Sequence, residues 1–181
     1  LTLLLLTAPL LAQTALAQAW PSKPLKWIVP FPPGGPTDVF SRAVAQQLQA
    51  ALGQPVVVEN KGGAGGGVGM QALAKSAPDG YTIMLANTGV MVINGALYNK
   101  LPYNTLKDFV PIARSAQQPL ALLVNNNVPA KNLKEFRDYA TKNPGKINYG
   151  SAGNGGISHL VPEMFKNATG LFMVHIPYRG S

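Results

Sequence analysis

The chain has 181 residues, 46% of them hydrophobic, which is enough for a sizeable core and excludes a disordered chain. Fifteen Lys and Arg against seven Asp and Glu leave a formal charge of +8, yet the basic residues stand singly from Lys23 to Lys166, without the aromatic-bearing basic stripe that nucleic acid requires. Cysteine is absent, which excludes disulfides, thiolate metal sites, cysteine nucleophiles and a cysteine-borne lipid anchor; His159 and His175 alone do not complete a zinc site, so no metal or other cofactor is expected.

The N-terminal run Leu1 to Ala12 is apolar, uncharged and too short to span a bilayer, and Ala15-Leu16-Ala17 supplies a small-x-small cleavage pattern. Residues 1–17 are therefore expected to be a signal peptide cleaved after Ala17, which sends the mature chain to an extracytoplasmic compartment. No Met or basic residue precedes Leu1, so a few N-terminal residues are expected to be missing.

Lys23 to Val29 reads as a strand that breaks into Pro30-Phe31-Pro32-Pro33-Gly34-Gly35-Pro36 and then opens a helix over Val39 to Leu52. Phe40, Val44, Leu48 and Leu52 form its apolar stripe; Thr37 or Asp38 is expected to cap its start, and Gly53 its end. Gln54 to Glu59 is a strand whose β-branched run suits burial on both faces. Asn60 to Gly67 reads as a flexible glycine loop before a helix over Val68 to Ala77. Tyr81 to Ala86 is a third strand with Asn87-Thr88-Gly89 just past its end. Val110 to Ala116 and Leu120 to Val124 read as strands, with Gln117-Gln118-Pro119 as a crossover. Asn132 caps a helix over Leu133 to Lys142. Ile147 to Tyr149 is a strand ending in Gly150-Ser151-Ala152-Gly153-Asn154-Gly155-Gly156; a helix over Ile157 to Ala168 turns Leu160, Val161, Met164 and Phe165 to one face, and Phe172 to Ile176 is the last strand.

Alternating strands and helices predict an α/β fold with parallel sheets, in which ligands sit beyond the carboxyl ends of strands. Two lobes are expected, 18–116 and a partial second lobe 117–181. The Gly34 turn and the 150–156 turn both lie at such strand ends and at helix N-termini, where unpaired N–H groups and the helix dipole favour an anion.

Familiar catalytic patterns fail. Gly67-Val68-Gly69-Met70-Gln71-Ala72 fits a dinucleotide fingerprint in letters, but a long loop separates it from its strand and no acidic residue follows at the expected distance. Ser151 with His159 invites a hydrolase reading, yet Tyr149 occupies the first glycine position of a nucleophile elbow, and the nearest downstream acid, Glu163, lies one turn along the same helix. Ser158 is expected to cap or line the helix start, and His175 to be a core or near-cleft histidine. The remaining chemistry is capture without bond breaking: N–H donors around Gly34 and Gly35, those from Ser151 to Gly156, the Ser151 hydroxyl, and Asn87 and Thr88.

These residues carry a resemblance. Trp20-Pro21, Lys23-Pro24, Val29 to Asp38, Val58 to Gly67, Ala77-Pro78-Asp79-Gly80-Tyr81-Thr82, Tyr149 to Leu160 and Val174 to Gly180, in that order, resemble the Bug-type solute receptors of tripartite tricarboxylate transporters. The resemblance implies a periplasmic binding protein of the type II kind, no enzyme, whose lobes close on a small carboxylate for delivery to membrane subunits of a transporter. A periplasmic sensor that presents its liganded form to a signalling protein is the alternative, and an exported serine hydrolase a more distant one. Carried onto this chain, the ligand contacts are Phe31, Pro32, Pro33, Gly34, Gly35 and Asp38 in one lobe, with Ser151, Gly153, Asn154, Gly155, Gly156 and His159 in the other. Asp38 is expected to cap its helix or hold a bridging water, because it repels a carboxylate. Family members continue past Tyr178-Arg179-Gly180, so the resemblance implies an incomplete second lobe whose unfinished sheet edge favours aggregation.

Overall fold

A computed structural model describes residues 20–178. The expected signal segment and the final Arg179-Gly180 of the family motif lie outside them.

Strand β1 (Leu25–Val29), helix α1 (Pro36–Leu52), strand β2 (Val56–Asn60), helix α2 (Gly67–Ala74) and strand β3 (Thr82–Met84) build a three-stranded parallel sheet of order β2-β1-β3. Leu25 to Val29 run beside Val56 to Asn60, and Lys26 to Ile28 run beside Thr82 to Met84 on the other edge. The middle position of β1 explains its burial: Leu25, Trp27, Ile28 and Val29 are all buried. It also corrects the expectation for β2, which is an edge strand with Val57 half-exposed despite its β-branched run. Because the chain steps from β1 to β2 on one edge and then crosses from β2 to β3 on the other, the strand order reverses beside the end of β1, a switch point where an open α/β sheet leaves a crevice.

Helix α1 lies on this sheet through a line of small residues. Ser41 and Ala45 are fully buried, and Val44 and Leu48 pack beside them against Trp27 and Val29. Its start differs from the expectation. Pro36 takes the first helical position, which its fixed φ and missing N–H suit, and so Gly35 becomes the N-cap in place of Thr37 or Asp38.

The 62–69 glycine run is packed in its second half, where Gly66, Gly67 and Gly69 are buried, while residues 62–65 are exposed. A single 3-10 turn, Ala64–Gly66, leads directly into α2, and a Cβ on Gly69 would stand 2.8 Å from Pro30 Cα. Glycine is required there for close approach of backbone to backbone. Beyond β3, a π-helical turn (Gly89–Ile93) runs into the short helix α3 (Asn94–Leu97). Met70, Val90 and Tyr103 form a second buried cluster on this side, and Phe31 packs against both this cluster and the one around Trp27.

The expected strands over Val110 to Ala116 and Leu120 to Val124 do not form. The whole stretch is irregular, with Val110, Ile112 and Leu123 more than 80% exposed. A strand needs a neighbour for its N–H and C=O groups, and none pairs with these residues among those described.

The second unit consists of helix α4 (Leu133–Lys142), strand β4 (Asn148–Ser151), helix α5 (Ile157–Thr169) and strand β5 (Val174–Pro177). Helix α4 has the limits expected of it. Asn132 accepts from Glu135 N–H at 3.0 Å, and Glu135 reaches back to Lys131 N–H at 2.7 Å, a reciprocal cap. β4 and β5 pair in parallel from Asn148 with Val174 to Ser151 with Pro177. α5 buries no residue fully: of its expected apolar face Leu160 and Phe165 are half-buried, whereas Val161 and Met164 are exposed, because the two strands of this sheet cover only part of the helix.

Candidate functional site

The two sheet units end in the same device. In the first, β1 runs into Gly34 at φ 87° and Gly35 at φ −77°, ψ 169°, and α1 begins. In the second, β4 runs into Gly155 at φ 80° and Gly156 at φ −71°, ψ 163°, and α5 begins. The left-handed first glycine is the conformation that side chains resist. The sequences Gly34-Gly35-Pro36-Thr37-Asp38 and Gly155-Gly156-Ile157-Ser158-His159 thus align position by position. Both helices also end on a left-handed glycine, Gly53 at φ 66° and Gly170 at φ 69°.

In each turn the side chain four residues on binds the N–H of the first glycine. Asp38 Oδ2 accepts from Gly34 N–H at 2.9 Å, and His159 Nδ1 accepts from Gly155 N–H at 3.1 Å. One expected donor in each turn is therefore occupied. The N–H groups of Gly35, Thr37 and Asp38, and of Asn154, Gly156, Ile157 and Ser158, make no hydrogen bond among the described residues. These unpaired groups and the helix dipoles are what an anion meets at a helix start.

The surroundings of the two turns differ. Asp38 is buried, and Arg42 Nε donates to its Oδ2 at 3.1 Å while Asn60 Nδ2 donates to Oδ1 at 2.9 Å. Asn60 also donates to the Phe31 carbonyl at 3.1 Å and accepts from Arg42 at 3.0 Å, which ties the start of the proline turn to the helix. The hydrogen bond from Arg42, then that from Gly34 N–H, hold the Asp38 carboxyl down from 3.8 to about 2 against the opposing effect of burial. Asp38 is a permanent anion whose oxygens are committed to protein donors.

Around the second turn the groups are aromatic and titratable. His159 and His175 stack with centroids 3.9 Å apart, and Tyr149 stacks on the other face of His175 at 4.9 Å. Ser151 Oγ lies 2.6 Å from His175 Nε2 and also meets Gly153, while Ser158 Oγ accepts from Ala152 N–H at 3.1 Å. Burial first, and then neighbouring His159, push His175 below the ordinary imidazole value. Tyr149 hydrogen-bonds Glu163, and burial followed by that carboxylate raises its phenol. Lys166, 2.7 Å from Glu163, is the main cause that lowers the Glu163 carboxyl.

Of the expected contact residues, Pro32, Pro33 and Gly34 are exposed on the first turn; Phe31 is wedged between the two clusters, so its side chain anchors the turn. Asn87 and Thr88 are exposed past β3, and Asn87 Oδ1 accepts from Val90 N–H at 3.2 Å. Asn154 is exposed, Gly153 and Gly156 are half-buried, and Ser151 and Gly155 are buried. The second turn rests against the first unit: a Cβ on Gly155 would meet Leu97, one on Gly65 would lie 3.7 Å from the Asn154 carbonyl, and one on Gly89 3.9 Å from Gly156 Cα. The Ser151 and His159 pair of the distant hydrolase alternative does not form, since Ser151 is bonded to His175 and His159 to Gly155. Sequence reasoning passed over Arg42, Asn60, Tyr149 and the site role of His175. Arg42 stands four residues after Asp38, a spacing that signals an ion pair on a helix; Asn60 carried no such signal.

A family model described as tripartite tricarboxylate transporter family receptor matches residues 40–181. Protein BugT of Bordetella pertussis is 41% identical over 166 residues, covering 91% of this chain and 51% of BugT. The solved structure of Rpa4515 from R. palustris with adipate superposes with a TM-score of 0.86 at 32% identity, over 89% of this chain and 54% of that one. MatC from Rhodopseudomonas palustris with bound malate superposes with a TM-score of 0.80 at 33% identity, over 89% and 55%. Further solved neighbours are described as a periplasmic transporter and a periplasmic binding protein. The chain spans about half the length of the curated relatives it matches, 52% of the first. The expected Bug-type resemblance and α/β binding-protein fold are borne out, and these relatives are receptors, not enzymes.

Proposed function

Because the chain belongs to the receptor family of tripartite tricarboxylate transporters, we propose that it forms the cleft-bearing part of an extracytoplasmic receptor for a small carboxylate. The observation that carries this reading is the duplicated turn, two glycine pairs of one conformation at two helix starts, each with N–H groups that have no acceptor among the described residues. In this reading the ligand lies between Phe31 to Gly35 in a lobe of residues 18–116 and Ser151 to Gly156 in a lobe of residues 117–181. Direct bonds come from Gly35, Thr37, Gly156 and Ile157 N–H, and bridging waters join the rest. Asn87 and Thr88 close one side. Asp38 holds the turn from behind and does not touch the carboxylate, since its oxygens already accept from Gly34, Arg42 and Asn60. Adipate and malate, the ligands of two solved relatives, are both dicarboxylates, which supports the anion class. Delivery to the membrane subunits of a transporter follows from the family, and a signalling protein that reads the closed form is the competing partner.

The reading is tested by thermal denaturation of the intact protein with adipate, malate and their diamides. A dicarboxylate at a hundredfold excess over its Kd adds about 2.7 kcal/mol, several degrees of midpoint. A diamide that stabilises as much as its acid would show that these N–H groups are not an anion cradle.

A further inference from the structure

The two turns share their backbone shape but are held by side chains of different chemistry, and the difference has a functional consequence for the site proposed above. The Gly155 N–H bonds the Nδ1 of His159, so that nitrogen carries a lone pair and the ring proton resides on Nε2. An imidazole that gains a second proton becomes a donor at both nitrogens and can no longer accept. The carboxylate of Asp38, in contrast, goes on accepting from Gly34 until strong acid.

We propose that His159 is a positioning residue: its neutral imidazole latches Gly155, holding the second turn in the shape that Asp38 holds in the first, and protonation of the ring releases that latch. The inference rests on the reading of the two turns as one carboxylate site.

The groups around His159 come from β5, β4, its own helix and the first unit. From β5, His175 lies face to face with it at 3.9 Å. From β4, Tyr149 stacks on the far side of His175, and Ser151 bonds His175. On its own helix lies Glu163, whose carboxylate is held by Lys166 and Tyr149. From the first unit, the side chain that meets Gly155 is Leu97, which is uncharged. Unperturbed imidazole changes protonation between about pH 5 and 8, and that interval is the one over which the hydrogen bond is to be followed. Release matters because Gly155 sits directly before Gly156 and Ile157, whose N–H groups have no acceptor among the described residues and whose direction the turn sets.

The experiment is nuclear magnetic resonance of the intact protein, taken from about pH 8 to about pH 5. The Gly155 amide is expected to shift and to lose hydrogen-exchange protection by about tenfold or more, with the midpoint of the His159 ring, while the Gly34 amide stays still. His159→Asn keeps an acceptor near the position of Nδ1 and flattens the response; His159→Leu resembles the acid form at every pH. A Gly155 amide that ignores the His159 titration, or that responds unchanged in His159→Asn, overturns the latch. Calorimetry with adipate and malate near neutral pH supplies the second readout: His159→Leu weakens binding by about tenfold, and His159→Asn restores it. Unaltered affinity in His159→Leu overturns the positioning role. If the wild-type protein binds neither probe, the carboxylate reading fails, and the Gly155 amide still decides the latch.

Discussion

The first and second turns answer one geometric demand with different side chains. Both place a left-handed glycine, an extended glycine and a helix start at the end of a parallel strand, and both tie the first glycine to the side chain four residues on. In the first unit that side chain is a buried carboxylate with three protein donors, set beside a strand paired on both edges. In the second it is an imidazole in an aromatic stack, beside a strand paired on one edge among the described residues. The comparison teaches that one backbone shape can be held by acceptors of different chemistry, a buried carboxylate in one turn and an imidazole in the other.

The comparison is most exposed at the acceptors themselves. Asp38→Ala leaves the Gly34 N–H, the Asn60 amide and the Arg42 guanidinium without their partner, and is expected to cost about 3 kcal/mol. His159→Ala removes one neutral hydrogen bond and is expected to cost about 1 kcal/mol. Urea denaturation measures both, and equal costs would erase the distinction between a buried ionic brace and a lighter latch.

Acid sharpens it next. Asp38 is depressed from 3.8 to about 2, so the folded state binds fewer protons than the unfolded one in that interval. Its contribution, roughly 2 kcal/mol, is full above the ordinary carboxylate value and lost as pH falls through the folded value. His175 is also depressed, from 6.5 and mainly by burial, so its share begins to drain as pH drops below 6.5. The second unit should therefore loosen at milder acidity than the first, which residue-resolved hydrogen exchange over a pH series checks. Asp38→Asn should flatten the lower limb and His175→Phe the upper one; a single common transition would contradict the assignment.

The smallest expected effect concerns the seam under α1. Ser41 Oγ is buried without a hydrogen-bond partner among the described residues, so Ser41→Ala should stabilise the protein by about 1 kcal/mol. A loss of stability in thermal denaturation would mean that the hydroxyl has an acceptor after all.

What could be read from the sequence was what depends on neighbours in the chain. Asn132 and Glu135 announce the start of α4 three residues apart, and Gly53 and Gly170 end their helices by local conformation alone. Thr37 and Asp38 misled because they are good capping residues, whereas Pro36 moves the helix start back to Gly35. Contacts that depend on sheet register were illegible: the His159 to His175 stack joins residues on α5 and β5 whose facing follows from the pairing of Tyr149 with His175. The apolar letters of Val110 to Val124 look like strands, but a strand is a property of two segments, and no second one pairs here among the described residues. The glycines from Gly62 to Gly69 suggested mobility because composition does not reveal that α2 lies against Pro30.

Pro30, Pro32, Pro33 and Pro36 surround the first turn, and the second has no proline from Gly150 to Ser158. Fixed φ angles narrow the conformations the first turn can sample even before folding, so a ligand reaching it meets donors already in position. The second turn retains more freedom to lose. The consequence is one of order in time: encounter is expected on the proline side, at a rate set by diffusion and orientation, and the glycine side then limits how long the ligand stays.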